Sequence, residues 1–274
     1  MAVKNILVVV NESTGSVSAV NAALQMQQKY DAHLTGILVH YGTRDRFGDE
    51  NWVPDNVRAI LDSGIHEREA VVEQSFRATA EGIVPPDKLH WMALSGQPDD
   101  TLAKYVVMYD VAVMGSNAAR TDPATDLHPE RVVLKSGRPL LVVPTDYDPS
   151  TIEKRVVLAF DGRRAASRVI HDAMLYLETK SQVDIVSSGD AVFKPANSIG
   201  AVDLLARHGV KAERVRLGRG GRKFGEQLLE YCNKVDAGTL FMGVYEKGIF
   251  REEVFGGATS YVLENATVPV MISH

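Results

Sequence analysis

Lys154-Arg155-Val156-Val157-Leu158-Ala159-Phe160-Asp161-Gly162 decides how this chain is read. Its apolar run is too short for a helix and has no polar alternation, which predicts a strand buried on both faces. Asp161-Gly162 then supplies a turn. The same stretch stands 150 positions earlier as Lys4-Asn5-Ile6-Leu7-Val8-Val9-Val10-Asn11-Glu12. Later features repeat in the same order. Met114-Gly115 recurs as Met242-Gly243, and Ser136-Gly137-Arg138-Pro139 with Leu140 to Val143 recurs as Ala266-Thr267-Val268-Pro269 with Val270 to Ser273. Matching elements at both ends of each half predict a duplicated domain.

Outward from the first copy, strands are expected at 5–10, 33–40, 89–94, 111–114 and 139–143. Helical spacing occupies the intervals, around Val17 to Gln27, from Pro54 to Ala80, from Pro98, and at 129–135. Strand, helix and strand in succession require a right-handed crossover and a parallel sheet. Asp146 to Thr151 has the polar, proline-bearing composition of a linker. The second half runs through the same order but is shorter, because the offset falls from 150 at the first strand to 128 at Met242-Gly243. The shortening falls mostly between its second and third strands, where a helix within 197–208 replaces the long 54–80 helix. A strand at 210–217 and a helix at 224–234 follow. The expected fold is α/β, with two tandem doubly wound domains, residues 1–146 and 153–274, each a five-stranded parallel sheet flanked by helices.

The 274 residues are 45% apolar and 24% charged, which excludes disordered and fibrous classes. A net charge of -5 offers no general attraction to nucleic acid or to an anionic membrane, so any polyanion needs a local site. No apolar run reaches the length of a membrane span, and the expected location is the cytoplasm. Cys232, the single cysteine, permits no internal disulfide and reads as a packed thiol on a helix.

The second half carries the stretch with chemistry in it: Phe241-Met242-Gly243-Val244-Tyr245-Glu246-Lys247-Gly248, continuing to Phe255-Gly256-Gly257-Ala258-Thr259. A buried strand, a loop with glycines and a helix beginning at a glycine pair form a backbone shaped for phosphates. Gly218-Arg219-Gly220-Gly221-Arg222-Lys223 lacks the ending of a P-loop and reads as a solvated turn, with Arg219 and Arg222 as reserve phosphate contacts. The eight histidines include no pair at metal-ligand spacing, so no metal site is expected. No nucleophile elbow or acid/base pair is legible, and no catalytic residue is assigned.

Two copies of strand, Asp-Gly-like turn, helix and strand, each ending in Met-Gly and a Pro-led strand, resemble universal stress protein domains over nearly the whole chain. The resemblance implies the adenine nucleotide alpha hydrolase-like fold. It also implies ATP binding through Gly, two residues, Gly, nine residues, then Gly and Ser or Thr. By position these fall on Gly243, Glu246, Gly256 and Gly257, so two of the four are kept. The resemblance further puts Asp161 and Ala159 at the end of the first strand beside the nucleotide, Val186 beside the adenine, and Met242 and Ala258 along the ligand. Glu246 brings a carboxylate towards the phosphates, which a bound Mg²⁺ or Lys247, Arg251 and Arg222 would offset. In the first half, Asn11 replaces the acidic residue, Gly115-Ser116-Asn117-Ala118 keeps one glycine, and Asp126 and Leu127 stand where Gly256 and Gly257 do. That half is expected to be a structural partner without a phosphate site.

The resemblance also implies that the last strand of each half pairs with the other inside one chain, and it is compatible with a homodimer. The expected function is a stress-response regulatory or binding protein with a degenerate ATP site in its second half. A nucleotide-free scaffold or small-ligand binder is the alternative, followed by a weak ATPase with Asp161 as its only candidate base.

Overall fold

The computed structural model describes residues 3–43, 45, 53–116, 127–148, 155–180, 182–188, 200–218, 223–244 and 257–274. The first half contains β1 (Asn5–Val9), α1 (Thr14–Tyr30), β2 (His33–His40), α2 (Asp55–Ala80), β3 (Leu89–Ser95), α3 (Pro98–Val106), β4 (Val111–Gly115), α4 (Pro129–Ser136) and β5 (Leu140–Val143). The second contains β6 (Val156–Ala159), α5 (Arg164–Leu177), β7 (Val183–Ser188), α6 (Ala201–Arg207), β8 (Ala212–Leu217), α7 (Phe224–Lys234), β9 (Thr239–Gly243), α8 (Gly257–Asn265) and β10 (Val270–Ser273).

These strands make one ten-stranded sheet in the order β3-β2-β1-β4-β5-β10-β9-β6-β7-β8. Each half supplies five parallel strands, and the order reads the same from either edge once the halves are exchanged. At the centre β5 and β10 pair antiparallel, with Val142 opposite Val270 and Leu140 opposite Ile272. A two-fold relation between like halves brings the same strand of each to the seam, and such a pair must run antiparallel. The pairing of the two last strands inside one chain, which the resemblance implied, is thus present and leaves neither edge exposed.

Alternation along each strand sends side chains to two core layers. Ile6 and Val8 point to a layer covered by α1, α2, α5 and α6. Leu7 and Val9 point to a second, covered by α3, α4, α7 and α8. Both layers run unbroken through the two halves. Tyr30 on α1 meets Tyr176 on α5 edge to face at 5.7 Å, which ties the halves on one side of the sheet.

The amino-terminal ends of the second-half strands hold a buried polar anchor. Asp184 on β7 is only 1% exposed, and its carboxylate accepts from Tyr231 Oη at 2.9 Å, Gln182 Nε2 at 3.2 Å and Arg155 Nη1 at 3.3 Å. The three donors satisfy the carboxylate oxygens, which offsets the cost of burying them. Among the described residues no helix is long and apolar enough to cross a membrane.

Candidate functional site

At the carboxyl ends of β6 and β9 lies a cavity of about 310 Å³. This is the point where the strand order of the second half reverses, the usual ligand position in doubly wound sheets. Of the nine residues named from the sequence, six line it: Ala159, Asp161, Met242, Gly243, Gly257 and Ala258. Val186 does not, although it is the register partner of Ala159, which also faces Met242. The three form one row across β7, β6 and β9, and Val186 is fully buried beneath the cavity floor. Glu246 and Gly256 fall outside the described residues, as do Lys247, Arg219, Arg222 and Arg251.

Gly243 ends β9 against the first turn of α5. A Cβ built on it would meet the carbonyl carbon of Ala165 at 2.5 Å and the nitrogen of Ala166 at 2.7 Å. Backbone cannot yield that distance, so glycine is required here by packing. The counterpart in the first half behaves alike, since a Cβ on Gly115 would stand 2.4 Å from the carbonyl carbon of Gly15. The repeated Met-Gly therefore records a helix lying directly on the end of a strand in both halves, whether or not a ligand binds.

Gly257 is different. A Cβ there would meet nothing within 4 Å among the described residues, so no packing demand from them explains it. Counting back from Pro139 and Pro269, its counterpart is Leu127, which is 2% exposed and packed into the core. Behind Leu127, His128 is fastened by the buried carboxylate of Asp99, which accepts from the His128 backbone N–H at 2.8 Å and faces His128 Nδ1 at 3.0 Å. Where Gly257 lines a cavity in the second half, the first half places a leucine.

Asp161 shapes the turn between β6 and α5. Its Oδ1 accepts from the backbone N–H of Arg163 at 2.9 Å, its Oδ2 lies 3.7 Å from Arg163 Nε, and Gly162 takes φ +78° between them. Asn11 makes the same turn in the first half, accepting from Ser13 N at 2.9 Å and Ser13 Oγ at 2.6 Å. The helices that follow differ in their caps. Ser13 accepts from Ser16 N at the start of α1, whereas Arg163 gives α5 no side-chain cap. Among the described residues, the first-turn N–H groups of α5 receive no side-chain cap, and Ala165 and Ala166 of that turn form part of the cavity wall.

The cavity also takes in Phe160, Arg163, Phe224 and Thr259, which the sequence reading did not assign as ligand contacts. Ala165 and Ala166, two residues beyond the Asp161-Gly162 turn, form a further part of the wall. Phe224 gave no signal in the sequence, because it arrives from the start of α7, far away in the chain. The lining is therefore apolar on the strand side, with helix-start donors, Asp161 and Arg163 at the rim. Such an arrangement can hold a flat apolar group with a polar or anionic extension.

No family model matches the sequence, and no curated protein matches it. The fold is shared with a universal stress protein of Archaeoglobus fulgidus DSM 4304, which aligns over 98% of this chain and 96% of its own at 18% identity, with a TM-score of 0.73. A protein of unknown function from Pseudomonas aeruginosa PAO1 aligns over 99% of this chain and 92% of its own at 13% identity, with a TM-score of 0.58. Both matches span the two halves together.

Proposed function

We propose that this chain is a tandem universal stress protein, with domains at residues 1–146 and 153–274, whose second domain takes up an adenine nucleotide to regulate a stress response. The observation that carries the reading is the contrast between Gly257 and Leu127. One half keeps a cavity lined by Ala159, Asp161, Met242, Gly243, Gly257 and Ala258, and its counterpart holds a buried leucine at the matching position. The uncapped start of α5 and the first turn of α8 supply donors for phosphate oxygens. The protein acts by binding. Asp161 is engaged with Arg163 in the turn, and the proposal is one of binding.

Calorimetric titration of the full chain with ATP and Mg²⁺ tests it. Binding is expected, with Glu246→Gly tightening it by removing a carboxylate from the phosphate side. Absence of heat at millimolar ATP would sink the proposal in favour of a nucleotide-free scaffold or a binder of another small ligand.

A further inference from the structure

Two histidines from different strands meet at the edge of the sheet. β3 is the outermost strand of the first half, and in its parallel register with β2 residue His90 stands opposite Thr35. Side chains two apart on a strand share a face, so His33 lies diagonally beside His90 on that face. His33 Nδ1 and His90 Nε2 are 3.0 Å apart, with ring centres 5.2 Å apart and planes inclined by 18°. For nitrogens at that distance the centres are nearly as far apart as two such rings can be. The rings therefore meet edge to edge, each turning one nitrogen towards the other, with one proton between the two lone-pair positions.

This arrangement is not needed to hold the strands. β2 and β3 already pair seven residues, and both rings are exposed, where a hydrogen bond competes with water. His40 and His128, by contrast, each face a carboxylate, that of Glu69 and that of Asp99. The separation of 57 residues along the chain hides the pair from any search for ligand spacing. Only the parallel register brings the two nitrogens to one point. The sheet sets them there before any ion arrives, so little freedom is lost on binding.

We propose that His33 and His90 chelate one divalent transition-metal ion, Cu(II) most tightly, which clips the outermost strand to its neighbour. Metal–imidazole bonds of about 2.0–2.1 Å place two nitrogens about 2.9 Å apart at a right angle and about 3.4 Å apart at the tetrahedral angle. The observed 3.0 Å fits the square arrangement that nitrogen ligands give Cu(II) and Ni(II), and Cu(II) heads the affinity order of such ions. Each ring donates one lone pair. The proton now between them passes through water to the outer nitrogen of the ring that carries it, and the ion keeps its oxidation state. Entry requires both rings to swing off the line between their nitrogens, a motion that exposed side chains make readily. Asp31, two residues before His33, is tied to Lys88, and among the described residues no third histidine, cysteine or carboxylate completes the set. Water fills the remaining positions, which makes this an exchangeable site. It lies at the amino-terminal end of β2, in the other half from the candidate nucleotide cavity, and stands independently of it.

Calorimetric titration of the full chain with copper(II) chloride and, separately, nickel(II) chloride, at neutral pH in a buffer that does not coordinate metals, tests the proposal. A phase of one ion per chain is expected, tighter for copper than for nickel, and copper should raise the thermal unfolding temperature. His33→Ala and His90→Ala should each weaken that phase about a hundredfold, because one imidazole then binds alone, while circular dichroism is unchanged. Electron paramagnetic resonance of the copper form should show nitrogen couplings from two imidazoles, and from one in either variant. Copper uptake that both variants leave unchanged belongs to other side chains and overturns the proposal. So does loss in one variant alone, which would mean a site of a single imidazole, and so does the absence of any copper uptake.

Discussion

A β-carbon on Gly243 would stand 2.5 Å from the carbonyl carbon of Ala165. Helix α5 is therefore seated on the end of β9 at a distance that only glycine permits. Gly243→Ala is expected to destabilise the fold by about 1–3 kcal/mol or more, as overpacking against backbone does. Gly115→Ala should cost at least as much, because its neighbour Gly15 is nearer still. Urea unfolding of both variants checks this. A wild-type midpoint in either would mean that the helix can lift without penalty.

Gly257→Leu should do the reverse. With nothing among the described residues within 4 Å of the new side chain's first carbon, stability should stay within about 0.5 kcal/mol of the parent while the cavity closes. ATP uptake, measured by calorimetry, should be lost. Leu127→Gly in the first half should lose about 3–5 kcal/mol by emptying a packed position.

Tyr231 and Asp184 give the protein a sensitivity at high pH. Burial, followed by the hydrogen bond to the Asp184 carboxylate, pushes the Tyr231 phenol up to about 12. A folded-state value above the unfolded one means that this stabilisation is complete below about pH 10 and is lost as pH rises through about 12. Tyr231→Phe should lose about 1 kcal/mol at neutral pH, since Asp184 keeps Arg155 and Gln182 as donors, and should flatten the alkaline decline. Thermal unfolding across that pH range reads both effects.

Burial also pushes the Cys232 thiol up to about 12, so hardly any thiolate exists at pH 8. A disulfide reagent should react with the native chain only as fast as it opens, and at once in denaturant. Immediate native labelling would show the α7 face to be accessible.

The elements were legible because their causes are local. β1 and β6 are short apolar runs, Pro98 and Pro129 start helices where their missing N–H is no loss, and Gly137 at φ +62° ends α4. Ala159, Asp161 and Met242-Gly243, which the resemblance pointed to, do come together at one cavity, because all of them sit at strand ends. What each of them does there was not legible. Asp161 and Asn11 look like a kept and a lost ligand residue in the sequence, yet both hold the same turn. Gly243 and Gly257 look like two members of one phosphate pattern, yet one is pressed against Ala165 and the other lines the cavity with no described atom within 4 Å of its Cβ position.

The sequence by itself determined the alternation of strand and helix and the like order of elements in a longer first and a shorter second half, because periodicity and turn chemistry act within a few residues. Only the tertiary structure decided the register in which β5 and β10 meet, that α2 buries Val72, Phe76 and Ala80 alone, and that Leu127 is buried where Gly257 lines a cavity. The physical reason is the same in each case. A seam, an uncovered face and a cavity are defined by what lies across the space from a residue, and those partners come from distant parts of the chain.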